Sequence, residues 1–543
     1  RDLVRSRGLG DVYKRQFMRN AIILAAGKSQ RFAPFTYEKP KGLFKVRGEI
    51  LINRQIEQLI EAGVNNIYVV VGYMKEKFFY LEKKYPQVRI LINNTFGQYK
   101  GNLYSLYVAR NYMSNTYICC ADHYFVNNPF LEEPQRTYRA CVWKQGKFRE
   151  FSVAVSDADV ITRTDMGGRN AYAMVGHAFF SERFSNRFRE LLEEEIDDFG
   201  VPNMFWESFY NKHRKELTLF VKYYKENEIQ EFESIDDLRQ FDEGFFDNID
   251  SAIVKNICSV LKCEANDIED IQIIQKGLTN VSFKFSVKGI DYVYRHPGIN
   301  APNVVDRKSE VFAQYKAKEL GLDPTVIYID IAGWKLSYYV HDLVETDLGN
   351  DANQMRKGMQ HLRTLHETTW NDSVRIFDTF KEGCKLIKIA CASKGNLFEE
   401  FAEYIYKAKT IDSFMKNDGY RIEALCHNDV YDPNYLVTSQ GDVYLIDWEF
   451  AGINDKANDV ASICSRYDFT REEIENYFKA YADRELTLQE YRHYWAAVAL
   501  NAFYYFCWAV YKGGVNEDDG FFFLATYHNM NKYMDEVISL YEN

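Results

Sequence analysis

The stretch LCHNDVYDPNYLVTSQGDVYLIDWEFAG, residues 425–452, constrains this chain more than any other part of it. It presents His427-Asn428-Asp429, then Asn434, then an apolar run that delivers Asp447 thirteen residues after Asn434. Phosphoryl transfer from ATP to a hydroxyl needs one carboxylate to receive the hydroxyl proton. It also needs an amide and a second carboxylate to hold Mg²⁺ against the phosphates. Asp429, Asn434 and Asp447 fit those roles in that order. The strand VYLID sets Asp447 at its end, where a metal ligand points into a cleft.

The same stretch resembles the choline/ethanolamine kinase and aminoglycoside phosphotransferase family, whose members carry an H-x-D-x4-N loop and an I-D-W-E strand. Trp448-Glu449 leans it toward the choline kinase branch. The resemblance covers roughly the C-terminal half and implies a protein-kinase-like, two-lobed α+β domain. Residues 271–287 read as two strands around Gly277-Leu278-Thr279-Asn280, similar to the loop that covers ATP. The following DYVYRHPG places Arg295 where protein kinases have Lys. The resemblance implies that Arg295 pairs with ATP phosphates and with Glu310 on the helix RKSEVFAQYKAKEL, although Glu310 also suits a solvated helix face. Asp459 is expected to open a helix and brace the catalytic loop. Tyr505 and Trp508 stand three apart, hence on one helix face, and match the family's aromatic choline box, with Glu449 completing a cationic pocket. As an aromatic stripe they fit a core equally well.

The first half has its own signature. RNAIILAA, residues 19–26, is a short buried strand followed by Gly27-Lys28-Ser29-Gln30-Arg31, with Pro34, Thr36 and Lys39-Pro40-Lys41 after it. A strand running into a Gly-containing loop is a place where backbone N–H groups cradle phosphates, here those of Ala26 and Gly27. Lys28, Arg31 and Lys41 add the positive charge. The string LAAGxxxRFxPxTxxxPKxL resembles the nucleotidyltransferases that activate sugar phosphates and phosphocholine; the family usually has Gly where this chain has Ser29. Strands and helices alternate from residue 50 to Ala121, which means a doubly wound, Rossmann-like, mixed but largely parallel sheet. Asp122 follows a strand at its carboxyl end, where such sheets bind ligands, and is a metal candidate.

GYMKEKFFYL and GNLYSLYVAR resemble segments of bacterial CTP:phosphocholine cytidylyltransferases, which implies that Asn102 and Ser105 lie by the nucleotide base. EFESIDDLRQFD resembles that family's closing motif, with Glu233 where the family has a metal-ligating Asp. Mg²⁺ between Asp122 and Glu233 would neutralise the phosphate under attack. A trimethylammonium head needs aromatic faces and a carboxylate, for which Trp206-Glu207, Tyr172 and Trp143 are candidates, each of them equally a core residue.

With 543 residues, two or more domains are expected: a non-native or disordered leader at 1–17, a nucleotidyltransferase at 18–242 and a kinase at 243–543, joined near 241–248. A net charge of −11 argues against nucleic acid or an anionic membrane as the main partner. Residues 494–511, YWAAVALNAFYYFCWAVY, approach the length of a membrane span, but Asn501 in their middle favours a buried helix. Ten cysteines without a C-x-x-C pair suit a reducing cytoplasm. Together the halves imply a bifunctional enzyme: choline and ATP give phosphocholine, and phosphocholine and CTP give CDP-choline. The alternative is a sugar-phosphate nucleotidyltransferase fused to an ethanolamine or aminoglycoside-type kinase. The sequence leaves the oligomeric state open.

Overall fold

The strand Asn20–Ala25, NAIILA, is apolar on both faces and lies inside its sheet for that reason. Ile22 and Leu24 enter one core with Leu103, Leu106 and Phe180, while Ala21 and Ile23 enter another with Ile52, Ile56 and Val69. That alternation is the two-residue period of a strand. The computed structural model describes residues 19–276, 280–297, 304–394, 401–514 and 520–542, and the chain divides into two compact units between Asn266 and Asp267. The leader 1–17 and Gly277-Leu278-Thr279 lie outside the described residues.

In the first unit Asn66–Val71 and Thr116–Cys120 flank the strand Asn20–Ala25, both parallel to it, and Val88–Ile92 lies parallel beyond Asn66–Val71. The helix Leu51–Glu61 covers one face. Its Ile52, Ile56 and Leu59 are fully buried, each stabilising by about 1.5–3 kcal/mol. The doubly wound pattern holds on this side only. On the other side a long hairpin, Tyr138–Val155 and Ile161–Phe180, joins antiparallel to Thr116–Cys120, and Phe220–Tyr224 runs parallel to Tyr138–Val155 at the edge. The result is a seven-stranded mixed sheet.

The division falls later than the expected 242/243. The stretch around 241–248 is docked on the first unit. Phe245 is fully buried edge-on to Phe35 at 5.7 Å, Lys39 Nζ donates to the carbonyl of Ile249 at 2.6 Å, and Glu38 accepts from the amide of Ile253 at 3.0 Å. The helix Ala252–Leu261 therefore closes the first unit instead of opening the second.

The second unit begins with a five-stranded antiparallel sheet ordered Ile268–Lys276, Asn280–Val287, Ile290–Pro297, Lys335–Tyr338, Val326–Ile329. The helix Arg307–Glu319 follows the third strand in sequence, its first turn capped by the Asp306 carboxylate accepting from Ser309 N. The rest is helical around two small β-ribbons. The segment 494–511 lies within the helix Leu488–Gly514, where Asn501 is 1% exposed and donates to Asn458 Oδ1 at 2.8 Å. Among the described residues no helix is long and apolar enough to cross a membrane.

Candidate active sites

In the first unit, two local features bring distant charges together. The turn Lys41–Leu43 lies against the end of Thr116–Cys120, so closely that a Cβ on Gly42 would sit 2.8 Å from the Ala121 Cβ. A short antiparallel ribbon pairs Glu231 with His123 and so carries Phe232 and Glu233 to the same place. Lys41, 4% exposed, bridges them: its Nζ lies 3.0 Å from Asp122 Oδ2 and 2.6 Å from the Phe232 carbonyl. Arg31, largely exposed, reaches Glu233 Oε2 at 3.1 Å. Burial would raise the Asp122 pKa, but Lys41 and then His123 outweigh it and hold the carboxyl below its usual range.

The loop after the first strand keeps Gly27 and Lys28 exposed, and Ser29 adopts φ 46°, the left-handed conformation in which Gly is ordinarily at ease. Ala26 is buried beside them. Asn102 and Ser105 serve first as braces: Asn102 Oδ1 accepts from Trp206 N at 2.9 Å, and Ser105 Oγ accepts from Asn93 at 3.1 Å. Trp206 is a core residue. It is 2% exposed, edge-on to Phe180 at 5.3 Å, with the Arg139 guanidinium 5.6 Å from its ring, so it presents no open face to a cation. Trp143, by contrast, is half exposed and edge-on to Tyr172 at 5.1 Å. Sequence reasoning missed the pair of buried His123 with half-buried Glu231 at 3.4 Å and the buried pair Arg139–Glu207 at 3.7 Å.

In the second unit the candidate catalytic loop hangs on Asp459, whose carboxylate accepts the amides of His427 at 2.8 Å and Asn428 at 2.7 Å. Asn428 takes φ 64°, turning the chain so that Asp429 faces a cavity of about 620 Å³. Asn434 Nδ2 donates to Asp429 Oδ2 at 3.1 Å, and also to the Asp429 carbonyl at 2.8 Å. The strand Val443–Leu445 ends two residues before Asp447, which at φ 68° turns toward the same cavity. Burial raises the Asp447 carboxyl above its ordinary range, with the nearby Asp429 adding to it, against Arg295 and Lys335. A divalent cation on Asp447 and Asn434 would reverse that balance; an oxygen-only donor set suits a hard ion.

Arg295 lies 2.5 Å from Glu310 and 3.7 Å from Asp447, so the strand, the helix and the candidate metal ligand form one charged chain. Asn280 donates to Glu449 Oε2 at 2.7 Å, and both line the cavity. Tyr505 and Trp508 line it too. Tyr505 is 1% exposed and shares a 2.5 Å hydrogen bond with Ser462, while the Trp508 ring stands edge-on to Phe450 at 5.6 Å. Lys335 and Arg466 are among the cations in the cavity that went unforeseen. No motif contains them; they arrive from a strand and a helix end.

Residues 21–195 match the family model of the MobA-like NTP transferase domain, and residues 418–495 that of the phosphotransferase enzyme family. The class is thereby defined: an enzyme in which a nucleotidyltransferase is joined to a kinase-like phosphotransferase. The 2-aminoethylphosphonate cytidylyltransferase of Lancefieldella rimae is 36% identical over 231 residues, 42% of this chain and 93% of that protein. The choline-phosphate cytidylyltransferase of Streptococcus pneumoniae is 30% identical over 223 residues, 41% of this chain and 96% of that protein. Through its first half the chain belongs to this cytidylyltransferase family. A crystal structure of choline kinase LicA from Streptococcus pneumoniae is 22% identical, with a TM-score of 0.45, and covers 52% of this chain and 98% of its own.

Proposed function

We propose that the chain makes CDP-choline in two steps: its second unit phosphorylates choline with ATP, and its first unit transfers CMP from CTP to the phosphocholine formed. The observation that carries the first step is the convergence of Asp429, Asn434, Asp447 and Arg295 on one cavity lined also by Glu449, Tyr505 and Trp508. Asp429 receives the proton as the choline hydroxyl attacks the γ-phosphorus and the bond to ADP breaks. Arg295, steadied by Glu310, meets the phosphates, and Asn280 lies by the nucleotide. Asn434 and Asp447 would hold Mg²⁺, which supplies charge neutralisation on the phosphate oxygens. Glu449, Tyr505 and Trp508 receive the trimethylammonium head.

In the first unit the phosphate oxygen of phosphocholine attacks the α-phosphorus of CTP and pyrophosphate leaves. Lys41 and Arg31 balance the charge that develops, with Lys28 and the backbone of Ala26 and Gly27 against the triphosphate. Asp122 and Glu233 are the carboxylates placed to hold Mg²⁺ there. Asn102 and Ser105 shape the wall beside the base. The ten cysteines stand as free thiols, which suits the cytoplasm, where ATP and CTP are available.

A second reading for the first unit has one observation in its favour, the higher identity to the Lancefieldella rimae protein, which is named for 2-aminoethylphosphonate. The kinase half counts against it, because a kinase makes a phosphate ester and not a carbon–phosphorus bond. Asp429→Ala in the full chain tests the proposal. Phosphocholine formation is expected to fall by about 10²–10⁴-fold while CTP-dependent turnover of added phosphocholine persists. Turnover of choline at the unaltered rate would overturn it.

A further inference from the structure

The candidate base in the second unit is not free. Asp429 Oδ2 is held by Asn434, and its Oδ1 is taken by the Nη2 of Arg466. The Arg466 guanidinium carbon lies 3.9 Å from the ring centroid of Tyr431 and 4.0 Å from that of Tyr505. All five residues line the same cavity. Two aromatic faces and a carboxylate are the set that recognises a cation unable to donate hydrogen bonds. Here an arginine of the chain itself fills that set.

We propose that Arg466 occupies the Tyr505 side of the seat of the acceptor's cationic head, between Tyr505 and Tyr431 and facing the Glu449–Trp508 side across the same cavity, so that the acceptor binds by exchanging one cation for another. The inference rests on the kinase reading and names the residue that sets acceptor selectivity within it. Three observations lead to it. Asn434 and Arg466 each take a site on one Asp429 oxygen, so an incoming hydroxyl must share the carboxylate with the guanidinium until Arg466 withdraws. A second cation brought beside the guanidinium would be repelled at contact distance in a weakly solvated cavity, whereas an exchange leaves the charge between the two rings unchanged. Arg466 pairs with one carboxylate among the described residues, Asp429, and packs between the two tyrosine rings. Arg295 in the same cavity has two, Glu310 and Asp447.

An exchange has a cost that simple binding lacks. The acceptor's apparent affinity is reduced by the fraction of molecules in which Arg466 holds the seat. A neutral alcohol cannot evict it, while an amino alcohol brings the charge that replaces it and the hydroxyl that then meets Asp429. The seat therefore favours cationic acceptors even before the walls of the cavity discriminate among them.

Arg466→Met in the full chain keeps a side chain of similar reach without the charge. Tetramethylammonium, which has no hydroxyl to phosphorylate, measures the seat directly by calorimetry. Its binding is expected to tighten about tenfold in the variant, and the choline KM to fall in proportion. Methylguanidinium should become a competitive inhibitor against choline in the variant and not in the parent. Adding Tyr505→Ala should cancel the gain. Unchanged or weaker tetramethylammonium binding would overturn the proposal. So would methylguanidinium restoring kcat without competing with choline, because Arg466 would then only position Asp429. If Arg466→Met does not fold, Arg466→Gln takes its place in the same comparison. If the parent protein transfers no phosphate to choline but the variant still gains tetramethylammonium binding, the kinase reading fails and the seat stands.

Discussion

Arg295 and Glu310 form an ion pair at 2.5 Å with the Glu310 side chain wholly out of solvent. Burial opposes both charges, yet each stabilises the other, so Arg295 stays above and Glu310 below its ordinary range. Arg295→Ala leaves a buried carboxylate with Arg307 alone and is expected to destabilise the protein by about 3–5 kcal/mol. Urea unfolding checks this. Arg295→Lys should retain most of the stability but raise the KM for ATP, because an ammonium lacks the guanidinium's fork.

Lys41→Met removes the cation shared by Asp122 and the Phe232 carbonyl. Cytidylyl transfer, followed as pyrophosphate release, is expected to fall by about 10²–10³-fold, the scale of losing one placed electrostatic donor. ATP-dependent phosphorylation should continue. Loss of both activities together would mean that the units do not work independently.

His493 bridges two acids, with Nδ1 2.8 Å from Asp418 and Nε2 2.8 Å from Asp455. Burial lowers its pKa, but Asp455 and Asp418 outweigh burial and the net shift is upward. A His whose folded pKa is raised adds stability that is complete below the unfolded value of about 6.5 and is lost as pH rises through the folded value. His493→Gln should therefore cost more stability at about pH 6 than at about pH 9, measured by urea midpoints at the two pH values.

What the sequence made legible was local. The H-x-D-x4-N loop and Asp447 lie within one short stretch, and Asp429, Asn434 and Asp447 line one cavity. Ile52, Ile56 and Leu59 showed their face through helical period. What it hid depends on contacts across the fold. Arg466 meets Tyr431 and Tyr505 from a different element, and no periodicity relates them. Periodicity likewise does not separate a core tryptophan from a cage, and Trp206 turned out to be core. The FF pair at 245–246, set among acids and Gly, read as a linker because its partners Phe35 and Phe44 lie two hundred residues earlier.

Trp508→Ala separates box from core in the second unit. A desolvated cation–π contact is worth about 2 kcal/mol, so the choline KM should rise about thirtyfold with the ATP KM nearly unchanged. A merely structural Trp508 would instead lower the melting temperature and disturb both KM values.

The most direct measurement incubates the full chain with choline, ATP, CTP and Mg²⁺ and follows products by mass spectrometry. CDP-choline is expected, formed only when both nucleotides are present, with phosphocholine accumulating when CTP is withheld. No phosphocholine from choline and ATP, together with CTP consumed only when 2-aminoethylphosphonate is supplied, would contradict the proposed two-step synthesis.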